Sequence, residues 1–134
     1  MTSIEEHKII IKEFEDDINE KLRRNIINER QKLIGFATSE GSTNYFALFL
    51  HKQNLISHGF NVNHKWFASK KRAEEKFPFD FPSKKELFTN LIRQEQLRNI
   101  LCYGKNKSIE DVEESIKTFF EIKTIIEKLI GESI

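Results

Sequence analysis

Apolar residues in this chain recur at steps of three and four, a spacing that an α-helix gathers onto one face. Ile4, Ile11, Phe14, Ile18, Leu22, Ile26 and Leu33 follow it along the first third, and Leu87, Leu91, Leu97 and Leu101 along a later stretch. Ile109, Val112, Ile116, Phe119, Ile126 and Ile130 repeat it near the end, with charged residues between them. A sheet would need alternation in twos and turn chemistry between the runs, and neither appears. Only five glycines and two prolines interrupt 134 residues, so the helices have room to be long. The expectation is an all-α fold, a four- to five-helix up-down bundle, in one domain over residues 1–134, a length that supports one sizeable core rather than two.

Charge and cysteine content narrow what such a bundle does. Lysines and arginines number 22 against 21 carboxylates, so any nucleic-acid contact must come from a local basic patch and not from the field of the whole molecule. The single cysteine, Cys102, permits neither an intrachain disulfide nor a multi-thiolate zinc site, a pattern that fits a reducing compartment. No apolar run approaches the roughly 20 residues that span a bilayer. The start, Met1-Thr2-Ser3-Ile4-Glu5-Glu6, is acidic where a signal peptide is basic, and a cytoplasmic protein with no membrane association is expected.

The first helix is expected to run from Ile4 through Leu33. The stretch 35–43, rich in Gly, Ser and Thr, reads as a loop in which Ser42 or Thr43 caps the next helix. Residues 45–56 are nearly all apolar and read as a buried central helix, stopped by His58-Gly59. Asn63 caps a third helix from Lys65 to about Lys76, and Phe77-Pro78-Phe79-Asp80-Phe81-Pro82 is a rigid connector with three aromatic anchors. Ser83-Lys84-Lys85-Glu86 has the form of a capping box for a fourth helix, and Ser108-Ile109-Glu110-Asp111 opens a fifth in a similar way. Twelve phenylalanines interleaved with leucine and isoleucine are core filling, and Trp66 joins them.

Few residues here carry recognisable chemistry. His7, His51, His58 and His64 are the side chains whose ordinary titration lies near neutrality. None belongs to a metal-binding pair with a supporting carboxylate, and no metal or cofactor is expected. Phosphate-cradling glycine loops and the serine-hydrolase elbow are absent. The carboxylate runs Glu15-Asp16-Asp17, Glu74-Glu75 and Glu113-Glu114 fit solvated helix faces. Lys65, Lys70, Lys71 and Arg72, then Lys84 and Lys85, then Lys105 and Lys107 form three basic patches able to follow a phosphate backbone if the fold gathers them. Within the helical run 93–105, Arg98 and Asn99 interrupt an apolar stripe near a C-terminal end marked by Tyr103-Gly104, and Arg98 needs a partner or a ligand there. Along an ideal helix Arg98 and Tyr103 diverge by about 140°, so they converge only if the helix ends near Cys102 or two subunits share the site.

Arg98-Asn99-Ile100-Leu101-Cys102-Tyr103-Gly104 resembles the Arg-Asn-x-x-x-His-Gly form found late in domains of the HEPN superfamily, with Tyr103 in the histidine position. The run from Asn44-Tyr45-Phe46-Ala47-Leu48-Phe49 to Leu55, then Gly59 and His64-Lys65-Trp66-Phe67, is similar to the buried second helix, glycine turn and third-helix start of those domains. The resemblance covers roughly residues 40–105. It implies a helical homodimer with the arginine helices near the dimer cleft, RNA as ligand, and a small nucleotidyltransferase of the antitoxin type as partner protein. By position it assigns Arg98, Asn99 and Tyr103 to the catalytic motif, with tyrosine replacing the proton-transferring histidine. Arg93, His64, Lys65, Lys105 and Lys107 are the candidate RNA or phosphate contacts. The expected function is RNA or nucleotide-partner binding by a degenerate motif. The alternatives are a toxin-like, metal-independent endoribonuclease using Arg98 with Tyr103 or a histidine from elsewhere, such as His64, and a structural module in which Arg98 pairs with Glu95 or caps a carbonyl.

Overall fold

The computed structural model describes residues 3–134. Helix α1 (Ile4–Arg23) opens on a capping box: the Ser3 hydroxyl accepts from the Glu6 backbone N–H, and the Glu6 carboxylate accepts from the Ser3 N–H. It ends earlier than the apolar spacing suggests. Asn25 takes the left-handed conformation at φ 53°, the Ile26 N–H returns to the Lys21 carbonyl, and the Asn25 N–H returns to that of Leu22. This double closure releases the chain from the helix, and asparagine tolerates its dihedral better than most residues.

Helix α2 (Gln31–Lys52) runs straight through the stretch expected to be a loop. The small and hydroxylated residues of 35–43 are there because neighbouring helices come close. A Cβ on Gly35 would stand 2.9 Å from Leu101 Cβ, and one on Gly41 would stand 2.6 Å from Cε1 of the fully buried Phe119 ring. The hydroxyls are bonded inside the bundle: Thr38 Oγ1 donates to the Ile34 carbonyl and lies 2.7 Å from Ser115 Oγ, and Ser42 Oγ donates to Gln94 Oε1 at 3.0 Å. Gln94 Nε2 in turn donates to the Ser115 carbonyl at 3.1 Å, so this buried network is paired across three helices.

A 3-10 turn (His64–Phe67) and the short α3 (Lys70–Lys76) stand where one third helix was expected. Asn63 does cap the first of these, its Oδ1 accepting from the Lys65 N–H at 2.9 Å, and Ser69 caps the second. Helix α4 (Lys84–Cys102) begins after Ser83 in a left-handed conformation, φ 63°, so the expected capping box does not form: that backbone carries no side-chain cap. Ser108 precedes α5 (Ile109–Ile130) in the extended N-cap conformation, also without a side-chain bond.

Contacting pairs give the helix directions. His7 meets Asn44 and Phe14 meets Phe36, so α1 and α2 are antiparallel; Ser39 meets Arg98 and Ser42 meets Gln94, so α2 and α4 are antiparallel too. Thr38 meets Ser115 while Gly41 meets Phe119, which makes α2 and α5 parallel. The result is an all-α up-down bundle with α2 packed against α1, α4 and α5 and buried along most of its length. No strand occurs among the described residues. At one end Phe46 centres an aromatic cluster, with Phe67, Phe77 and Phe88 edge-on at 5.0–5.7 Å. The 77–82 connector contributes Phe77 and Phe81 to it, as its aromatic anchors suggested. Among the described residues no helix is long and apolar enough to cross a membrane.

Candidate functional site

Arg98 lies one turn from the end of α4 with only 12% of its side chain exposed. It reaches α2, donating from Nη1 to Glu40 Oε1 at 2.7 Å and to Ser39 Oγ at 3.2 Å, with its guanidinium 5.2 Å from the centre of the Phe36 ring. Its Nε is enclosed and has no protein partner. The partner is thus Glu40 and not Glu95, the residue one turn back on the same helix. Glu40 went unseen in the sequence because it falls in the stretch read as a loop.

Glu95 is committed elsewhere. Its carboxylate is 5% exposed and stands 2.7 Å from Nδ1 of His64, on the 3-10 turn. An ionised carboxylate only accepts, so this network assigns the proton to Nδ1 and leaves Nε2 as the ring's uncommitted nitrogen. Asn63, the cap, fixes the turn that delivers His64, while α4 spaces Glu95 and Arg98 three residues apart on neighbouring positions of one face. Glu40 and His64 both line an open cleft of about 490 Å³, together with Asn61, Asn63, Lys65 and Trp66. His64 lines this cleft directly, whereas Arg98 is tied to it through Glu40.

The remaining candidate residues are dispersed. Helix α4 does end at Cys102, and Gly104 takes φ 75°, as convergence of Arg98 and Tyr103 requires. Yet no hydrogen bond or ring contact joins the two: Tyr103 is 63% exposed, and its carbonyl accepts from Lys107 Nζ. Asn99 is exposed. Arg93 makes a bidentate pair with Glu114 of α5 at 2.6 and 2.7 Å. Lys107 turns its ammonium onto local carbonyls, including that of Lys105, while its backbone N–H donates to Gln31 Oε1. Lys65 and Lys105 are exposed, but only Lys65 borders the cleft. Burial pushes the Cys102 thiol up, so it stays protonated and is a poor nucleophile near neutrality.

Among the described residues no three His, Cys, Asp or Glu side chains are arranged to hold a metal ion. A further cleft of about 430 Å³ lies between α1 and the C-terminal residues Ser133 and Ile134, and it shares no lining residue with the Arg98–His64 site. No family model, no curated protein and no solved structure matches the chain.

Proposed function

We propose that this chain is a HEPN-like, homodimeric RNA-binding domain whose phosphate-contacting face is the cleft lined by His64 and Glu40, with Arg98 held on Glu40. The observation that carries the proposal is that His64 and Lys65 line one opening together with Glu40, the carboxylate that holds Arg98. Arginine is suited to phosphate by its planar fork, and a single-stranded backbone passing Lys65 would meet His64 directly and Arg98 only in place of Glu40. Glu40 sets a condition: an incoming phosphate competes with it for the guanidinium, and Glu40, 29% exposed, can turn out to solvent. Leu33 and Phe36 on α2 and Tyr103 after α4 are exposed, and Lys32 joins the two segments by donating to the Gly104 carbonyl and accepting from the Cys102 thiol, a surface suited to a second copy. The nucleotidyltransferase partner rests on the resemblance alone and is tested by co-expression with such a protein.

Fluorescence anisotropy with single-stranded and hairpin RNA tests the proposal. Arg98→Ala should weaken binding by about tenfold or more, the scale of one charge-assisted contact of about 1.5–3 kcal/mol. Unchanged affinity in a folded Arg98→Ala protein would sink it. A second reading, metal-independent RNA cleavage, is favoured by the His64–Glu95 bond, since an imidazole oriented by a buried carboxylate is the usual form of a proton-transfer group. Cleavage that persists in EDTA and disappears in both Arg98→Ala and His64→Gln would establish it. Intact RNA would leave binding as the function.

A further inference from the structure

His7, His51 and His58 form a row at the opposite end of α2 from the Gly104 turn. Ring centres are 5.1 Å apart for His7 and His51 and 6.0 Å apart for His51 and His58. His7 and His51 are more than nine-tenths buried, whereas His58 is exposed. The tautomer of His7 follows from its neighbour. Asn44 donates from Nδ2 to the Glu40 carbonyl at 2.8 Å, so the atom facing His7 Nδ1, also at 2.8 Å, is the Asn44 oxygen. Nδ1 must carry the proton, and Nε2 of the neutral ring is a bare lone pair. Both His7 Nε2 and His51 Nε2 are enclosed with no protein partner. A second proton on His7 would therefore arrive where no protein group accepts it, beside a ring in the same position.

Surrounding charge does not compensate. Lys8 of α1 and Lys52 of α2 stand at this end, and the His58 ring lies beside that of His51. Against them are Glu6, exposed on α1, and Glu132 beyond α5, which is already paired with Lys52 and lies 3.9 Å from Lys8.

We infer that this row is an acid-sensitive latch: protonation of His7 and His51 drives the first two turns of α1 away from the C-terminal end of α2. The rest of α1 stays anchored by Ile18 in the core and by the Tyr45 hydroxyl donating to Glu15. Burial lowers the proton affinity of both rings, and His51 is pushed further down by His7 and His58. Above the ordinary imidazole value of 6.5 the rings are neutral whether the latch is closed or open, and pH has no effect through them. Below it the released rings take up protons first, so the closed form is progressively lost as pH falls.

Hydrogen–deuterium exchange of residues 4–11 between pH 7.5 and 5.0, corrected for intrinsic exchange, tests this directly. Linkage to one proton raises the opening constant up to about tenfold per pH unit and linkage to two up to about a hundredfold. The expected result is at least a tenfold rise in residues 4–11, abolished in the His7→Gln, His51→Gln double variant, with α4 and α5 unchanged. Imidazole NMR titration of the unaltered protein decides the matter if the variant fails to fold. Midpoints of His7 and His51 below 6.5 support the latch; midpoints at or above 6.5, or exchange of residues 4–11 that ignores pH, overturn it.

Discussion

Arg98 is held on two sides, by a carboxylate and a hydroxyl from α2 and by the ring of Phe36. That arrangement explains how a charged side chain sits at the edge of an apolar stripe: its charge is matched and its stem is packed. It also separates the binding reading from the structural one. If Glu40 only stabilises the fold, Glu40→Gln should lower stability and leave RNA affinity alone. If Glu40 competes with phosphate, the same substitution should raise affinity severalfold by removing the competitor, while costing about 1 kcal/mol or less in urea denaturation. Anisotropy and denaturation on one protein sample give both answers. Arg98 itself was legible from the sequence, because arginine among leucines needs an explanation. Its partner was not, since the identity of a partner depends on which helix lies across from it.

At the scale of the element, α2 shows how one composition supports two opposite readings. Glycine, serine and threonine clustered over 35–43 are loop-forming residues in isolation, and they become close-packing residues once α4 and α5 lie against them. The two roles predict opposite outcomes for Gly41→Ala. In a loop or free helix it would stabilise through better propensity; against the buried Phe119 ring it should destabilise by about 1–3 kcal/mol, as overpacking does. Thermal denaturation distinguishes them by sign. The α4–α5 pair offers a gentler test. Arg93 holds the Glu114 carboxyl below its usual value of 4.5, so the pair's contribution is present above that pH and fades as pH falls below it. Both side chains are more than one-third exposed, and Arg93→Ala should therefore cost under about 1 kcal/mol at pH 7 and almost nothing near pH 3. RNA affinity should change far less than in Arg98→Ala, because the Arg93 fork is occupied.

For the whole molecule, the aromatic cluster around Phe46 joins α2, the 3-10 turn, the 77–82 connector and α4 into one core with the aliphatic seam of α5. Phe46→Ala should cost about 3–5 kcal/mol in denaturant unfolding, since rings on several sides cannot all collapse into the space left. Leu33, 53% exposed, belongs to the proposed dimer patch instead. Leu33→Asp should leave the unfolding free energy of the monomer within about 1 kcal/mol of the parent. It should shift the sedimentation profile from dimer to monomer if the patch is the interface, and leave the profile unchanged if it is not.

Helix periodicity, the buried helix expected over 45–56 as far as Lys52, the Asn63 cap and the aromatic anchors of the connector were set by local rules. These depend on the order of neighbouring residues and need no partner across space. That is why the all-α bundle was legible from the chain. Tertiary packing decided the rest. It converted 35–43 from loop to helix interior, matched Arg98 with Glu40 and Glu95 with His64, and set His7 beside His51 across the α1–α2 contact. Each of those pairings joins residues about 30 to 60 positions apart, and their energies come from burial and low dielectric, which exist only after the helices have met.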